Sequence, residues 1–510
     1  MSAGIPVIDL FAGPGGLGEG FSSVMDSRGR QVFRLATSIE KDPIAHRTLR
    51  LRAIFRRLKA VDSLSEYYAY VRGHISYEEF CRDSIVKQAL QEADSETRCA
   101  VLGSDQESKI DGWIRSGIGK QAEWLLIGGP PCQAYSLAGR SRRTNDTTFE
   151  DDEKHFLYKE YLRIIRKFEP PVFVMENVKG ILSSTHGGDG VFSRILKDLK
   201  APRAGLKYDV RSFIFPSEAE IDARDYIVRA EHYGIPQARH RVILLGVRRD
   251  CTNFASHLPL VQADRPATVV EFLSGLPALR SSLSRGRDSR QGWLDVLSKT
   301  PELLNNFKHP KKVGISDRIA TAIARASAIE SMGLGFIKLA QTKQRLGLQE
   351  AFKWMQDVNL GGVCQHQSRG HMPSDLQRYL FAACYAIEVG VAPKLRDFPA
   401  QLLPNHGNAE AENIPFEDRF RVQLGNRPAS TIVSHIAKDG HYYIHFDPSQ
   451  CRSLTVREAA RLQTFPENYF FEGNRTQQYS QVGNAVPPYL ALQLGRSVAA
   501  MMGVKLLPMN

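Results

Sequence analysis

A chain of 510 residues with net charge +12, 42% hydrophobic and 24% charged side chains has the composition of a globular protein large enough for two or three domains. The opening Met-Ser-Ala-Gly-Ile-Pro-Val lacks the basic-then-apolar order of a signal peptide, and no run of about 18 apolar residues occurs, which argues against secretion and against a membrane span. Seven scattered cysteines without a CxxC pair argue against a disulfide framework or a zinc site and for a reducing, cytoplasmic setting. The positive excess attracts polyanions, nucleic acid first among them, and it is concentrated: Arg280 to Lys353 holds 14 Lys/Arg against 6 Asp/Glu.

In chain order, Ile5–Leu10 reads as an apolar strand, Phe11 to Gly20 as a Gly-rich turn and helix entry, and Phe33–Ile39 as a second strand ending at Glu40. Residues 50–120 exceed what a strand–helix–strand spacing needs and predict a helical insertion. Further strands are expected at Ala122–Ile127, Val172–Met175 and Arg241–Val247. A helix is expected over His155–Phe168, where positions 157, 161, 164, 165 and 168 share an apolar face. This alternation predicts an α/β fold: a mostly parallel, Rossmann-like sheet with helices on both faces. Past residue 250 the pattern changes, with helical periodicity over Asp317–Leu339 and Asp375–Glu388 and a strand-like stretch over Phe420–Phe446. The expected division is 1–255, then a smaller irregular domain over 256–473, with 474–510 returning to the first.

The residues suited to chemistry fall near expected strand ends. Gly13, Gly15 and Gly18 follow a strand with dinucleotide-like spacing, and Glu40 ends the next strand, where an acid can accept ribose hydroxyls. That pattern alone leaves open which adenosine cofactor is bound. The run Gly129-Pro-Pro-Cys132-Gln133 follows an apolar strand, and the Pro-Pro step holds Cys132 on a stiff turn, as a nucleophile would be held. A cysteine is otherwise commonly core filler. Met175-Glu176-Asn177-Val178 ends another strand with a carboxyl, and Gln237-Ala-Arg239-His-Arg241 sets two arginines on one side of an entering strand. Ligand-facing residues collect at the carboxyl edge of a parallel sheet, so Phe11, Glu40, Cys132 and Glu176 are expected along one cleft. His366, Arg369 and His371 form a polar cluster without an evident third ligand, so no metal site is expected.

In this order the motifs resemble those of the DNA (cytosine-5)-methyltransferase family, of the prokaryotic restriction–modification type. They are the FxGxGG loop at 11–16, the acid at 40, PCQ at 131–133, ENV at 176–178, QxRxR at 237–241, Arg457-Glu-Ala-Ala-Arg-Leu-Gln463 and Gly483-Asn-Ala-Val-Pro487. The match covers about the first 250 and the last 60 residues. The resemblance implies S-adenosylmethionine as cofactor, held by Phe11, Gly13, Gly15, Gly16, Leu17, Glu40, Pro131, Asn484, Ala485 and Val486. It implies Cys132 as the nucleophile at cytosine C6, Glu176 as a hydrogen-bond partner of N3, Arg241 near O2 and Arg239 as an orienting group. Gln133, Ser136, Arg140, Arg142, Arg143 and Lys154, in and after the PCQ motif, are the implied DNA contacts. Lys41 and Lys154 depart from the residue types common in the family; neither would touch reacting atoms.

The implied partner is double-stranded DNA, with the target nucleotide flipped out of the duplex, and a cognate restriction endonuclease is a further expected partner. The chain is expected to be monomeric. Two other readings exist on the same fold: an RNA cytosine-5 methyltransferase, and a DNA-binding regulator without turnover. The roughly 200 residues between QxRxR and Arg457 count against the first, because the tRNA-acting branch is short there. Retention of Cys132, Glu176 and Arg241 counts against the second.

Overall fold

The protein is described by a computed structural model over residues 4–131, 156–183, 185–186, 189–216, 221–284, 287–339, 350–404 and 417–508. The first strand, β1 (Ile5–Leu10), runs into helix α1 (Gly16–Ser22), and β2 (Phe33–Glu40) into α2 (Pro43–Ala60). Asp42 caps α2 by accepting from the N–H groups of Ile44 and Ala45, and Pro43 supplies a preset first turn. Helices α3 (Ser65–Val71) and α4 (Ser84–Glu96) follow, then β3 (Thr97–Cys99), α5 (Glu107–Ile118) and β4 (Leu125–Gly128). Next come α6 (Phe156–Phe168), β5 (Val172–Val178), α7 (Val191–Lys200), β6 (Tyr208–Ser212), β7 (Ile227–Arg229) and β8 (His240–Arg248).

These strands form one eight-stranded sheet in the order β3-β2-β1-β4-β5-β8-β6, with β7 also on β8. From β3 to β5 every pairing is parallel, and β8 runs against β5, β6 and β7. The strands are apolar on both sides because both faces are covered. Val7, Leu125, Ile127, Val174 and Ile243 join one core with α1 and the C-terminal helix; Ile8, Leu126, Phe173, Met175 and Leu244 join another with α5, α6 and α7. The chain leaves β1 toward β2 and returns through β4 on its other side. That makes the carboxyl edge of β1 and β4 the switch point where ligands bind in such sheets.

The extra chain near 50–120 is narrower than its sequence suggests. Up to Ala60 it is still α2, and from Thr97 it is back in the sheet, so the true insertion is 61–96. Its Tyr67, Tyr68, Val71, Phe80 and Val86 pack on the second half of α2 in a core that also takes in Leu360 and Cys364.

Beyond the sheet, α8 (Lys312–Ala326), β9 (Gly333–Lys338), β10 (Gly362–Gln367) and α9 (Pro373–Val389) lead to α10 (Val456–Leu462), α11 (Arg475–Asn484) and α12 (Pro488–Met501). Helices α8 and α9 build a separate core around Trp293, Ile319 and Phe381. Two expectations fail here. The helix expected through Leu339 stops at Ala326, and Gly333 to Lys338 is a strand antiparallel to β10. Gly333 has φ +83°, and a Cβ there would lie 2.0 Å from the His366 carbonyl, so the hairpin needs glycine. The strand expected over Phe420–Phe446 shrinks to Ala429–Ser430, paired with Gln237–Ala238. Around it, side chains take the place of a ladder: Gln423 accepts from the Ser430 N–H and the Tyr443 hydroxyl from the Val433 N–H.

Candidate active site

The glycine loop is held open from below. Glu40 Oε2 accepts the Gly13 N–H and Oε1 the Asp42 N–H, both at 2.8 Å. Oε2 thus fixes the glycine loop and Oε1 the entry to α2, roles not expected of Glu40 from the sequence. Burial raises its pKa, and those backbone bonds work the other way. Phe11 (φ +57°) and Gly13 (φ +57°) both take left-handed conformations, and among the described residues nothing lies within 4 Å of where a Gly13 Cβ would stand. As far as the described residues go, the loop is a cradle with space above Gly13. A Cβ on Gly16 would lie 2.3 Å from the Val486 carbonyl oxygen, so the GNAVP segment is pressed against the first loop although 470 positions separate Gly16 from Val486. Tyr469 adds a hydrogen bond to the Pro14 carbonyl. Asn484 is exposed at this junction, whereas Leu17, Ala485 and Val486 are buried. Leu17 packs in the core beside the sheet, so its side chain supports the loop from beneath.

The stem of the PCQ loop meets the carboxyl at 176. Parallel pairing sets Gly128 beside Met175, and a Cβ on Gly129 would lie 2.8 Å from Glu176 Oε2. A side chain at 129 would push the Glu176 carboxylate out of its present place. The Asn177 side chain donates to the Pro130 carbonyl at 3.2 Å, tying the loop's first turn to β5. Pro131 is half-buried at the last described position of this stem. Cys132, Gln133, Ser136, Arg140, Arg142, Arg143 and Lys154 lie outside the described residues.

Glu176 does not end its strand, which continues to Val178. Ile243 on β8 is its register partner and Arg241 pairs with Val178, so Arg241 is the diagonal neighbour of Glu176 on one face. Arg241 Nε lies 2.8 Å from Glu176 Oε1, as an ion pair off the hydrogen-bond line. Burial depresses the Arg241 pKa and the Glu176 charge offsets this. Arg239 is bound differently. Its Nη1 donates to the carbonyls of Ile432 (2.8 Å) and Gly483 (3.2 Å). Its guanidinium is buried and depressed in pKa, first by desolvation and then by the Arg241 charge. Arg239 therefore clips the wall of the site together.

Gln237 and Gln463 complete that wall, and the sequence reading assigned them no role. Gln237 Oε1 accepts the Ile432 N–H (2.7 Å), and its Nε2 donates to Gln463 Oε1 (3.0 Å). Gln463 donates in turn to the Val482 carbonyl (2.7 Å). The signal was there in the motifs that contain them, QxRxR and the Arg457 helix. That helix is internal scaffold: Arg457 is fully buried, bonded to the carbonyls of Cys364, Pro466 and Tyr469, and Glu458 pairs with Arg452.

Part of the basic segment is likewise structural. Arg280 is buried against Asp288, and Arg318 pairs with Glu388. His366 uses both ring nitrogens, on the Thr455 hydroxyl and the Pro277 carbonyl, each at 3.0 Å. His371 sits 3.3 Å from the Ser453 hydroxyl. Among the described residues no helix is long and apolar enough to cross a membrane.

The model of the C-5 cytosine-specific DNA methylase family matches residues 107–500. Type II methyltransferase M.Bpa9945I of Bacillus paralicheniformis is 32% identical, over 96% of this chain and 98% of that protein. Type II methyltransferase M.AgeI of Thalassovita gelatinovora is 27% identical over 73% of this chain and 82% of its own. The DNA (cytosine-5-)-methyltransferase M.ApeKI of Aeropyrum pernix is 23% identical over 77% and 84%. The solved structure of a prophage-encoded protein from E. coli shares the fold, with a TM-score of 0.51 and 18% identity over 98% of this chain and 99% of that one. With the glycine cradle, the Glu176–Arg241 pair and a match over most of its length, this chain belongs to the C-5 cytosine-specific DNA methylase family.

Proposed function

We propose that this protein methylates C5 of cytosine within a specific duplex DNA sequence through a transient bond from Cys132. The observation that carries the reading is the convergence of the PCQ stem on Glu176, with Arg241 paired to the same carboxyl. Cytosine C5 is a weak nucleophile. A Cys132 thiolate adding at C6 pushes the ring electrons toward C5 and loads charge onto N3 and O2. Glu176, protonated and donating its hydrogen bond to N3, and Arg241, near O2, stabilise that charge from a site that already holds both groups in place. After C5 is alkylated, a base takes its proton, the C6–S bond breaks and the thiolate is restored. The cradle fits S-adenosylmethionine: open space over Gly13, backbone exposed by left-handed residues, Glu40 at the end of β2 and an accessible Asn484. When bound it supplies an electrophilic methyl group. Phe11, Gly13, Gly15, Gly16, Glu40, Pro131 and Asn484 would hold it, with Leu17, Ala485 and Val486 contributing through backbone.

Arg239 holds the pocket wall, and Gln133, Ser136, Arg140, Arg142, Arg143 and Lys154 engage the DNA. Residues 256–473 supply recognition around the core of α8 and α9, while 1–255 and 474–510 supply the catalytic unit. The enzyme acts as a cytoplasmic monomer, beside a cognate endonuclease that its product protects against. The test is labelled methyl transfer to PCR-amplified genomic DNA and to tRNA in parallel, with nucleoside analysis for 5-methylcytosine. Duplex DNA containing 5-fluorocytosine should trap a covalent adduct through Cys132. Label on tRNA alone overturns the DNA assignment; binding to the fluorinated duplex without an adduct overturns the covalent route.

A further inference from the structure

The insertion 61–96 supplies none of the groups placed in the site, yet its helix α3 reaches across to one turn of the recognition domain. Tyr68 donates its hydroxyl to Asp357 Oδ2 at 2.6 Å. Arg72, just past the helix, donates from Nε to the Leu360 carbonyl (3.0 Å) and from Nη2 to the Asn359 carbonyl (2.6 Å). Its guanidinium also lies between the rings of Tyr68 and Phe336, 5.3 and 6.0 Å from their centroids. Phe336 belongs to β9, and residues 357–360 lead directly into β10. Asp357 is anchored a second time by Asn468, whose backbone carbonyl accepts from Tyr67 and whose Oδ1 accepts from Arg52 at 2.8 Å.

The far end of β10 is fixed to the wall of the active site. Arg369, two residues beyond the strand, donates to the carbonyls of Ile436 (2.8 Å) and Lys438 (2.9 Å) and stacks over Tyr479 at 4.4 Å. Ile432, four residues before Ile436, is the residue whose carbonyl and N–H are held by Arg239 and Gln237. Strand β10 is thus a strut between the insertion and the segment beside Glu176 and Arg241. Under the hairpin a cleft of about 380 Å³, lined by Tyr70, Phe336, Phe470 and Arg475 among others, separates it from the insertion. Leu360 and Cys364 pack into the core of the insertion, and Cys364 Sγ donates to the Val71 carbonyl at 3.3 Å; the bonds of Tyr68 and Arg72 add direction and register to that apolar contact.

We propose that Tyr68 and Arg72 are positioning residues for DNA recognition: they set the distance from the β9–β10 hairpin to the target-base pocket. This rests on the proposed reading that the recognition domain meets DNA. The bonds are made to the main chain and to a turn carboxylate, so they fix where the strand begins rather than what its side chains contact. A small misplacement of a substrate-positioning element is enough to cost rate at limiting substrate.

The test uses the full chain with Arg72→Ala and, separately, Tyr68→Phe, assayed on PCR-amplified genomic DNA. The expected result for Arg72→Ala is a KM for DNA raised about tenfold, with kcat and S-adenosylmethionine affinity unchanged. Tyr68→Phe should move the same parameter in the same direction by less. An unchanged KM overturns the proposal. So does a parallel fall in kcat, cofactor affinity and melting temperature, which is the mark of a purely structural brace. If the unsubstituted chain methylates no DNA, the functional reading fails and this inference with it; an active wild type with an unmoved KM sinks this inference alone.

Discussion

Arg241 Nε and Glu176 Oε1 stand 2.8 Å apart, on adjacent antiparallel strands, with only 12% and 14% of their side chains exposed. Neither charge is free to turn to water, and each is the other's principal compensation. The pair therefore arrives at the pocket with its geometry set before any ligand does. Removing one charge should hurt twice. Glu176→Gln keeps the shape and an acceptor but leaves the Arg241 guanidinium without its counter-ion. We expect kcat to fall by about 10²–10³-fold and unfolding free energy to drop by up to about 3 kcal/mol. Single-turnover methylation and urea melts measure the two; near-wild-type kcat would remove Glu176 from the chemistry.

Gly16 tests the closure of the cofactor cradle. A methyl group at this position would stand 2.3 Å from the Val486 carbonyl oxygen and 3.3 Å from the Ala485 Cβ. Backbone cannot swing aside as a flexible side chain can, so Gly16→Ala must push the 485–486 segment away from the loop. The expected cost is about 1–3 kcal/mol of stability. Cofactor affinity should fall with it, because Asn484 moves on the same segment. Calorimetric titration with S-adenosylhomocysteine checks this, and affinity equal to wild type would show that the two segments are not joint walls of one site.

How much of this was legible in the sequence depends on the range of the forces involved. Strands β1 and β5 are buried on both faces and appear as largely apolar runs, while β2 is legible from its Phe, Leu and Ile positions before Glu40. The residue types at 11, 40, 176 and 241 stand out because polar or glycine-bounded positions interrupt or flank apolar strands there. The ion pair itself was not legible: it requires β8 to run against β5, and nothing local to Arg241 signals that reversal. The same holds for Arg239, expected as an orienting group, whose bonds to the Ile432 and Gly483 carbonyls have no local signal in the sequence. Beyond residue 256 local preference misleads. Thr431, Ile432, Val433 and Tyr442 favour a strand, but the Ile432 and Val433 N–H groups and the Thr431 and Tyr442 carbonyls are taken by side chains of Gln237, Tyr443 and Gln423. Contacts such as Tyr68 with Asp357 span 289 positions and leave no periodic trace at either end.

Arg239 offers a direct check of that clip. Its Nη1 serves the carbonyls of Ile432 and Gly483 inside the protein, where no water can replace it. Lysine keeps the charge but not the planar fork. Arg239→Lys should therefore cost about 2–3 kcal/mol through a carbonyl left unpaired, lowering the urea midpoint. It should also weaken cofactor binding, since Gly483 precedes Asn484. An unaltered midpoint would mean that the two carbonyls find other partners and that Arg239 acts on substrate instead.

Asp9 gives the clearest pH signature. It lies at the end of β1, wholly buried, and among the described residues neither carboxyl oxygen has a hydrogen-bond partner. Burial raises its pKa well above 3.8, the Glu40 charge adds to this and Arg56 opposes it. The sign follows from linkage: a native pKa above the unfolded value means that the native state holds the proton more tightly. The stabilisation is complete below pH 3.8 and is lost as pH rises toward and through the native pKa. Glu40, also raised, works in the same direction. Asp9→Asn has no proton to lose, so the fall in urea midpoint between about pH 5 and about pH 8 should become shallower, by about 1.4 kcal/mol per unit of pKa elevation spanned. Glu40 leaves a residual slope. If the variant and the wild type trace parallel curves over that range, Asp9 is already compensated in solution and the cradle is less dry than its geometry implies.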